Sequence, residues 1–315
     1  MSSGRATQEL LDRLVEGARA AARAGRVADY IPALARARPE AVGAAITSVE
    51  GELLESGEAR AGFTLQSVSK AIALPYVIDA RGEEAVFSRV GKEPTGDPFN
   101  SIIRLEASSL KKPYNPMINA GAIVLSSLMP GSTGEERAAG FRGYAAALLG
   151  LPSLALDEEV YRSEAATANK NRSIAWFLKE LGLVEGEVDE ALDGYFRQCA
   201  TLVDAASLSR CGACLALDGL EPGSAGGSGR RLMSERAARV TKALMCSCGL
   251  YDGSGAFCVE AGIPAKSGVG GGILASARGR AGIGSYGPAL DPRGNSAAGL
   301  SIVEGLSREL GLFAL

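Results

Sequence analysis

The chain has 315 residues, 46% of them hydrophobic and 22% charged. This is the composition of a globular protein able to bury a full core, and its length suggests two domains or one large one. A net charge of −3 and a pI near 5.4 argue against nucleic acid as a partner. No run of about 18 apolar residues offers a membrane span. Histidine is absent, so any acid–base chemistry must proceed without the usual proton carrier of neutral pH.

The opening MSSGRATQELLDRLVEGARAAARAGRVADYI is polar and then amphipathic, with Leu10, Leu11 and Leu14 on one helical face. It lacks the apolar block of an export signal. A cytoplasmic location is therefore expected, with the six cysteines as reduced thiols. EAVGAAITSVEG and ELLESGEARAGFTLQ read as short strands joined at Gly51. SVSKAIALPYVIDARG reads as a helix, with Pro75 as a kink point and Gly82 as its stop. From about residue 86 to 200, strand patterns give way to helices such as RSIAWFLKELG and EVDEALDGYFRQ. EPGSAGGSGRR, residues 221–231, reads as a flexible surface loop.

A further helix starts at Ser234 and ends at Gly249, followed by strand patterns in SGVGGGILASA and in RAGIGSYGP after a turn at Gly279. The last helix, NSAAGLSIVEGLSREL, places Leu300, Val303 and Leu310 at helical spacing, with Asn295 as its expected N-cap. Strands at both ends with helices between them predict an α/β (α+β) fold: an antiparallel sheet closed by the two termini and flanked by helices. The expected division is a sheet domain over 1–85 and 201–315 and an inserted helical domain over 86–200. Cys211/Cys214 and Cys246/Cys248 have the number of thiols for a zinc site. However, the first pair falls in a helical pattern where small apolar thiols pack well, and core packing is the preferred reading.

Two motifs carry chemistry. In FTLQSVSKAIAL, Ser67 stands three residues before Lys70 at a strand-to-helix junction. One helical turn lets the amine reach the hydroxyl. To act as a base, such a lysine must fall by about 3 pKa units, on the order of 4 kcal/mol, through burial and neighbours. Ser108/Lys111 and Ser109/Lys112 repeat the spacing within EASSLKKPYN, where a solvated loop is the plainer reading. PAKSGVGGG, residues 264–272, has the Lys-Ser-Gly form that accompanies Ser-x-x-Lys in penicillin-recognising enzymes. The amides of Ser67 and Val269 would then hold an oxyanion. Either motif alone is weak; in this order, on a sheet–helix–sheet plan, they point to acyl transfer.

Over nearly its whole length the chain resembles the serine-dependent glutaminases. The resemblance is carried by GRVADYIPALA, FTLQSVSKAIAL, RVGKEPTGDPFNS, NPMINAGAIV, SEAATANKNRSIAWFLKELG, CGLYDGSGAF and GIPAKSGVGGGI. It implies a β-lactamase/transpeptidase-like fold and hydrolysis of L-glutamine to L-glutamate and ammonia. By the same resemblance Ser67 is the nucleophile, Lys70 its base and Tyr251 a partner in the proton relay. Tyr30, Asn119, Glu164, Asn171 and Tyr195 match active-site and substrate-binding positions, and Val269 matches the backbone donor of the oxyanion hole. Read without it, Tyr30 and Tyr195 could be packing residues, Asn119 and Asn171 helix caps, and Glu164 a first-turn carboxylate. No metal or organic cofactor is implied. The implied ligand is L-glutamine, and the family tends to form homodimers or homotetramers. The loop at 221–231 and the helix of Cys211 and Cys214 depart from the usual pattern. Two other readings stay open from the residues: a penicillin-recognising hydrolase or peptidase of the same fold, and a non-catalytic ligand-binding or zinc-stabilised scaffold.

Overall fold

Residues 2–95, 111–223 and 229–313 are described by a computed structural model of the chain. Five strands form one antiparallel sheet: β2 (Gly43–Ser48), β3 (Leu53–Gly57), β6 (Ala265–Ser267), β7 (Gly272–Ala277) and β8 (Ala281–Tyr286). Their spatial order is β3-β2-β8-β7-β6. The N-terminal hairpin therefore joins the C-terminal meander along β2 and β8, with Ile46 opposite Ile283. Two minor ladders accompany it, β1 (Arg26–Val27) with β9 (Ala289–Leu290) and β4 (Phe63–Thr64) with β5 (Leu202–Val203).

The pleat sorts large side chains from small ones. Ile46, Ile273 and Ile283 are buried towards α1 (Ser2–Ala24) and the C-terminal α12 (Ala297–Leu310), each contributing roughly 1.5–3 kcal/mol. Leu11, Val15, Ile302 and Leu306 complete that layer. The opposite face carries Gly282 and Gly284 and receives α9 (Ala205–Ala216) almost flush. A Cβ on Gly282 would lie 2.0 Å from the Ala213 nitrogen, and one on Gly212 would lie 2.3 Å from the Ala275 carbonyl. Thr47 and Ser209 share a buried hydroxyl–hydroxyl bond of 2.6 Å across this contact. Because both faces are covered, β7 and β8 are buried throughout and show no polar alternation.

The described elements between β4 and β5 are all helical: α2 (Lys70–Arg81), α3 (Glu83–Phe87), α4 (Asn119–Leu128), α5 (Gly134–Leu149), α6 (Glu158–Thr167), α7 (Asn169–Glu180) and α8 (Val188–Cys199). The whole of α4 is buried, as expected for a helix that is apolar all round. Beyond α9 come α10 (Glu235–Cys248) and α11 (Ser254–Ala261).

Several sequence expectations are corrected. Ser296, not Asn295, caps α12, its side chain accepting from the Gly299 amide. Asn295 instead accepts a bond from the Ser267 hydroxyl. SGVGGGILASA is not one strand: its first residue ends β6, a glycine turn follows, and β7 begins at Gly272. ELLESGEARAGFTLQ likewise divides into β3 and β4, which belong to different sheets. Cys211 and Cys214 are buried in the core along α9, where α9's close fit to the sheet favours small side chains. Among the described residues no cluster of three metal-ligating side chains forms. The middle of the glycine-rich loop (224–228), and Ser108 and Ser109 of the repeated spacing, lie outside the described residues.

Candidate active site

The β4–β5 ladder brings the chain before Ser67 against the exit of α8, and the Leu65 amide donates to the Thr201 carbonyl. A single 3-10 turn, Gln66–Ser69, then leads into α2 at Lys70. Gln66 has φ +46°, a left-handed conformation costly for a residue with a side chain. A clamp holds it: the Ser69 hydroxyl donates to the Gln66 carbonyl at 2.6 Å, and the Gln198 amide donates to that hydroxyl at 2.9 Å.

Lys70 is fully buried. Its Nζ donates to Ser67 Oγ at 2.9 Å and to Asn119 Oδ1 at 2.7 Å. Asn119, the first residue of α4, passes the bond on, its Nδ2 donating to Asn171 Oδ1 at 3.1 Å. Burial pushes Lys70 down to about 8, while Cys199 and Glu164 oppose the fall. Glu164 is buried too, and burial raises its carboxyl to about 8 against the pull of Gln66 and Lys70. Its Oε2 is buried without a hydrogen-bond partner.

On the other side of Ser67 stands the end of β6. A Cβ on Gly268 would lie 3.1 Å from the Ser67 nitrogen and 2.8 Å from the Leu65 carbonyl, so only glycine lets the two backbones meet here. Val269 follows, also buried. Tyr251 opens the turn between α10 and α11 with φ +58°, and its phenol bonds Ser67 and, at 3.4 Å, the Ser267 carbonyl. Burial raises that phenol to about 12. The buried Lys266 donates to the Gly249 and Ser267 carbonyls at 2.8 and 2.6 Å and sits 4.4 Å from the Tyr251 ring centre. Its ammonium is strongly disfavoured by burial and then by the charge of Lys70.

Ser67 opens into a cleft of about 90 Å³ that Tyr30, Asn119, Glu164, Asn171 and Tyr195 also line. Tyr251 and Val269 line a larger outer basin of about 700 Å³, and Tyr30 borders both. Ser67 lines the smaller cleft and not the larger basin. Tyr30 is half exposed, and burial, Glu164 and Tyr251 raise its phenol. Tyr195 is buried and raised chiefly by burial. Of the nine site residues expected from the sequence, eight border these two spaces, and the ninth, Lys70, is fully buried and bonded to Ser67.

Three residues went unnoticed in the sequence. Gln66 lines the cleft and bears on Glu164. Gln198 holds the turn. Cys199 hydrogen-bonds with Tyr195 and Ser69. Helical spacing was the available signal for Cys199, which follows Tyr195 by four residues on α8.

An antiparallel sheet flanked by helices, with Ser-x-x-Lys at the start of one helix and Lys-Ser-Gly at the facing strand end, defines the class: an α/β enzyme of the β-lactamase-like fold. The family model described as Glutaminase matches residues 25–314. Glutaminase 2 of Clostridium perfringens is 45% identical over 305 residues, covering 97% of this chain and 99% of its own. A Bacillus glutaminase crystallised in the presence of NaCl superposes with a TM-score of 0.89 at 36% identity, covering 98% of this chain and 100% of its own. The Bacillus subtilis glutaminase YbgJ, in the covalent complex with 5-oxo-L-norleucine formed by reaction with 6-diazo-5-oxo-L-norleucine, superposes with a TM-score of 0.85 at 34% identity over 97% and 98%. The chain belongs to the glutaminase family, hydrolases that act on the amide of glutamine. That membership selects among the three readings left open by the sequence. Among the described residues no helix is long and apolar enough to cross a membrane.

Proposed function

We propose that the protein hydrolyses L-glutamine to L-glutamate and ammonia through a glutamyl ester on Ser67. The observation that carries this reading is the 2.9 Å bond between a fully buried Lys70 amine and the Ser67 hydroxyl. Among the described residues no carboxylate pairs with that amine. Neutral Lys70 takes the Ser67 proton as Oγ attacks the side-chain amide carbon. The amides of Ser67 and Val269 hold the oxyanion, a contribution of about 10²–10³ in rate for one donor. The carbon–nitrogen bond then breaks, with the proton returning through Lys70 and the Tyr251 phenol to the departing nitrogen. Water cleaves the ester by the reverse relay.

The substrate is a zwitterion with a neutral amide at its far end. Its α-ammonium suits Glu164, whose unpartnered Oε2 gains a charge-assisted bond. Asn119, Asn171, Tyr30 and Tyr195 offer polar contacts to the rest of the molecule without a buried cation. No metal or organic cofactor takes part in this scheme. The covalent product known for the Bacillus subtilis relative supports a nucleophile in such a site. The test is Ser67→Ala: ammonia release from L-glutamine should vanish while circular dichroism and melting temperature hold. Wild-type release by that variant would refute the assignment.

A further inference from the structure

Six cysteines occur in the chain, and the two that are not fully buried, Cys246 and Cys258, touch each other. Cys246 lies in the last turn of α10 and Cys258 in α11. The Cys258 thiol donates to the Cys246 carbonyl at 3.1 Å, and the two thiols are hydrogen-bonded neighbours. That carbonyl would ordinarily accept from residue 250 one turn on, but the Leu250 amide turns to the Ser254 hydroxyl. The chain between the two cysteines holds the Tyr251 turn. Cys246 also faces a separate cavity of about 400 Å³, where Arg239, Lys242 and Arg278 surround the single carboxylate of Asp218. A small disulfide bearing carboxylates would be drawn into such a cavity.

We propose that Cys246 and Cys258 form a reversible thiol–disulfide pair, oxidised by a small anionic disulfide, and that closing the bond slows turnover by displacing Tyr251. In the first step the Cys246 thiolate attacks one sulfur of oxidised glutathione, whose disulfide breaks and releases one glutathione. Cys258, as thiolate, then attacks Cys246 Sγ and expels the second. Two protein thiols lose two protons and two electrons, and one oxidised glutathione becomes two reduced molecules. Burial raises both thiols, Cys246 to about 12, so the exchange is slow at neutral pH and quickens as pH rises. Closure draws the sulfurs to about 2.05 Å and removes the thiol from the carbonyl that ends α10. The Tyr251 phenol reaches the Ser267 carbonyl at 3.4 Å, already the long limit of a hydrogen bond, and has no slack for such a shift.

The test treats the full chain with oxidised glutathione at pH 8, alkylates the remaining thiols, and reads intact mass, peptide map and glutaminase rate. The expected result is a Cys246–Cys258 cross-linked peptide and a rate lowered about tenfold, restored by dithiothreitol. Cys246→Ser and Cys258→Ser should keep the reduced enzyme's rate and show neither effect. A stable glutathione adduct without the cross-link, or no modification, overturns the pair. The coupling to rate rests on the role proposed for Tyr251, whereas the peptide map does not. A cross-link with an undiminished rate therefore overturns the coupling alone, and equal slowing of the serine variants by the oxidant overturns it too.

Discussion

In the proposed scheme Lys70 must be neutral to accept the Ser67 proton, and the fold sets how often it is. Moving the amine from 10.5 to about 8 is a shift of about 2.5 units, or roughly 3 kcal/mol. At pH 7 the neutral fraction rises from about 0.03% to about 10%, a gain of about 300-fold in available base. In that scheme the ammonium of bound glutamine holds Glu164 ionised, so kcat should follow Lys70 alone and climb about fiftyfold from pH 6 to pH 8. In the free enzyme burial raises Glu164 to about 8 as well, and its proposed role requires it to be ionised to take substrate. Below pH 7, kcat/KM should therefore approach two decades per pH unit, and Glu164→Gln should reduce that slope to one. Ammonia release at saturating and limiting glutamine measures both. A kcat at pH 6 within twofold of its value at pH 8 would sink the reasoning.

Stability supplies a control. The folded value of Lys70 lies below the unfolded one, so its charged form opposes folding, fully below pH 8 and less as pH rises to 10.5. Lys70→Met removes that roughly 3 kcal/mol penalty at pH 7 and loses two hydrogen bonds of about 1 kcal/mol each. Ser67 keeps its bond to Tyr251 and Asn119 its bond to Asn171. The variant should be inactive yet no less stable than the parent.

Tyr251→Phe keeps the ring beside Lys266 and loses the phenol; kcat should drop about 10²- to 10⁴-fold with little change in melting temperature. Gly268→Ala places a methyl 3.1 Å from the Ser67 nitrogen and 3.0 Å from that of Val68. Turnover should fall at least about 10²-fold while urea unfolding shows a loss of about 1–3 kcal/mol, and a parent-like kcat would contradict the contact between β6 and the serine turn. Gly282→Ala drives a methyl into α9, 2.0 Å from the Ala213 nitrogen. Its urea midpoint should fall by the equivalent of ~3 kcal/mol or more.

What the sequence determined by itself is what short-range geometry fixes. Ser67 and Lys70 meet because three residues of turn and helix put them on one face. The strand–helix order, the first and last helices and the burial of Cys211 and Cys214 follow from periodicity and side-chain size. The long matching motifs mark the family for the same reason, since each is a contiguous local signature. Tertiary structure decided what depends on chain segments far apart. The left-handed Gln66 is held by the Ser69 hydroxyl, which Gln198, over a hundred residues on, fixes in turn. Asn295 looked like a cap but serves Ser267, a pairing set by how α12 meets β6. The values of Lys70 and Glu164 arise from burial between elements that no local pattern brings together. Sequence spacing fixes contacts one turn apart; desolvation and long-range hydrogen bonds exist only once the sheet has closed and α9 has settled on its glycines.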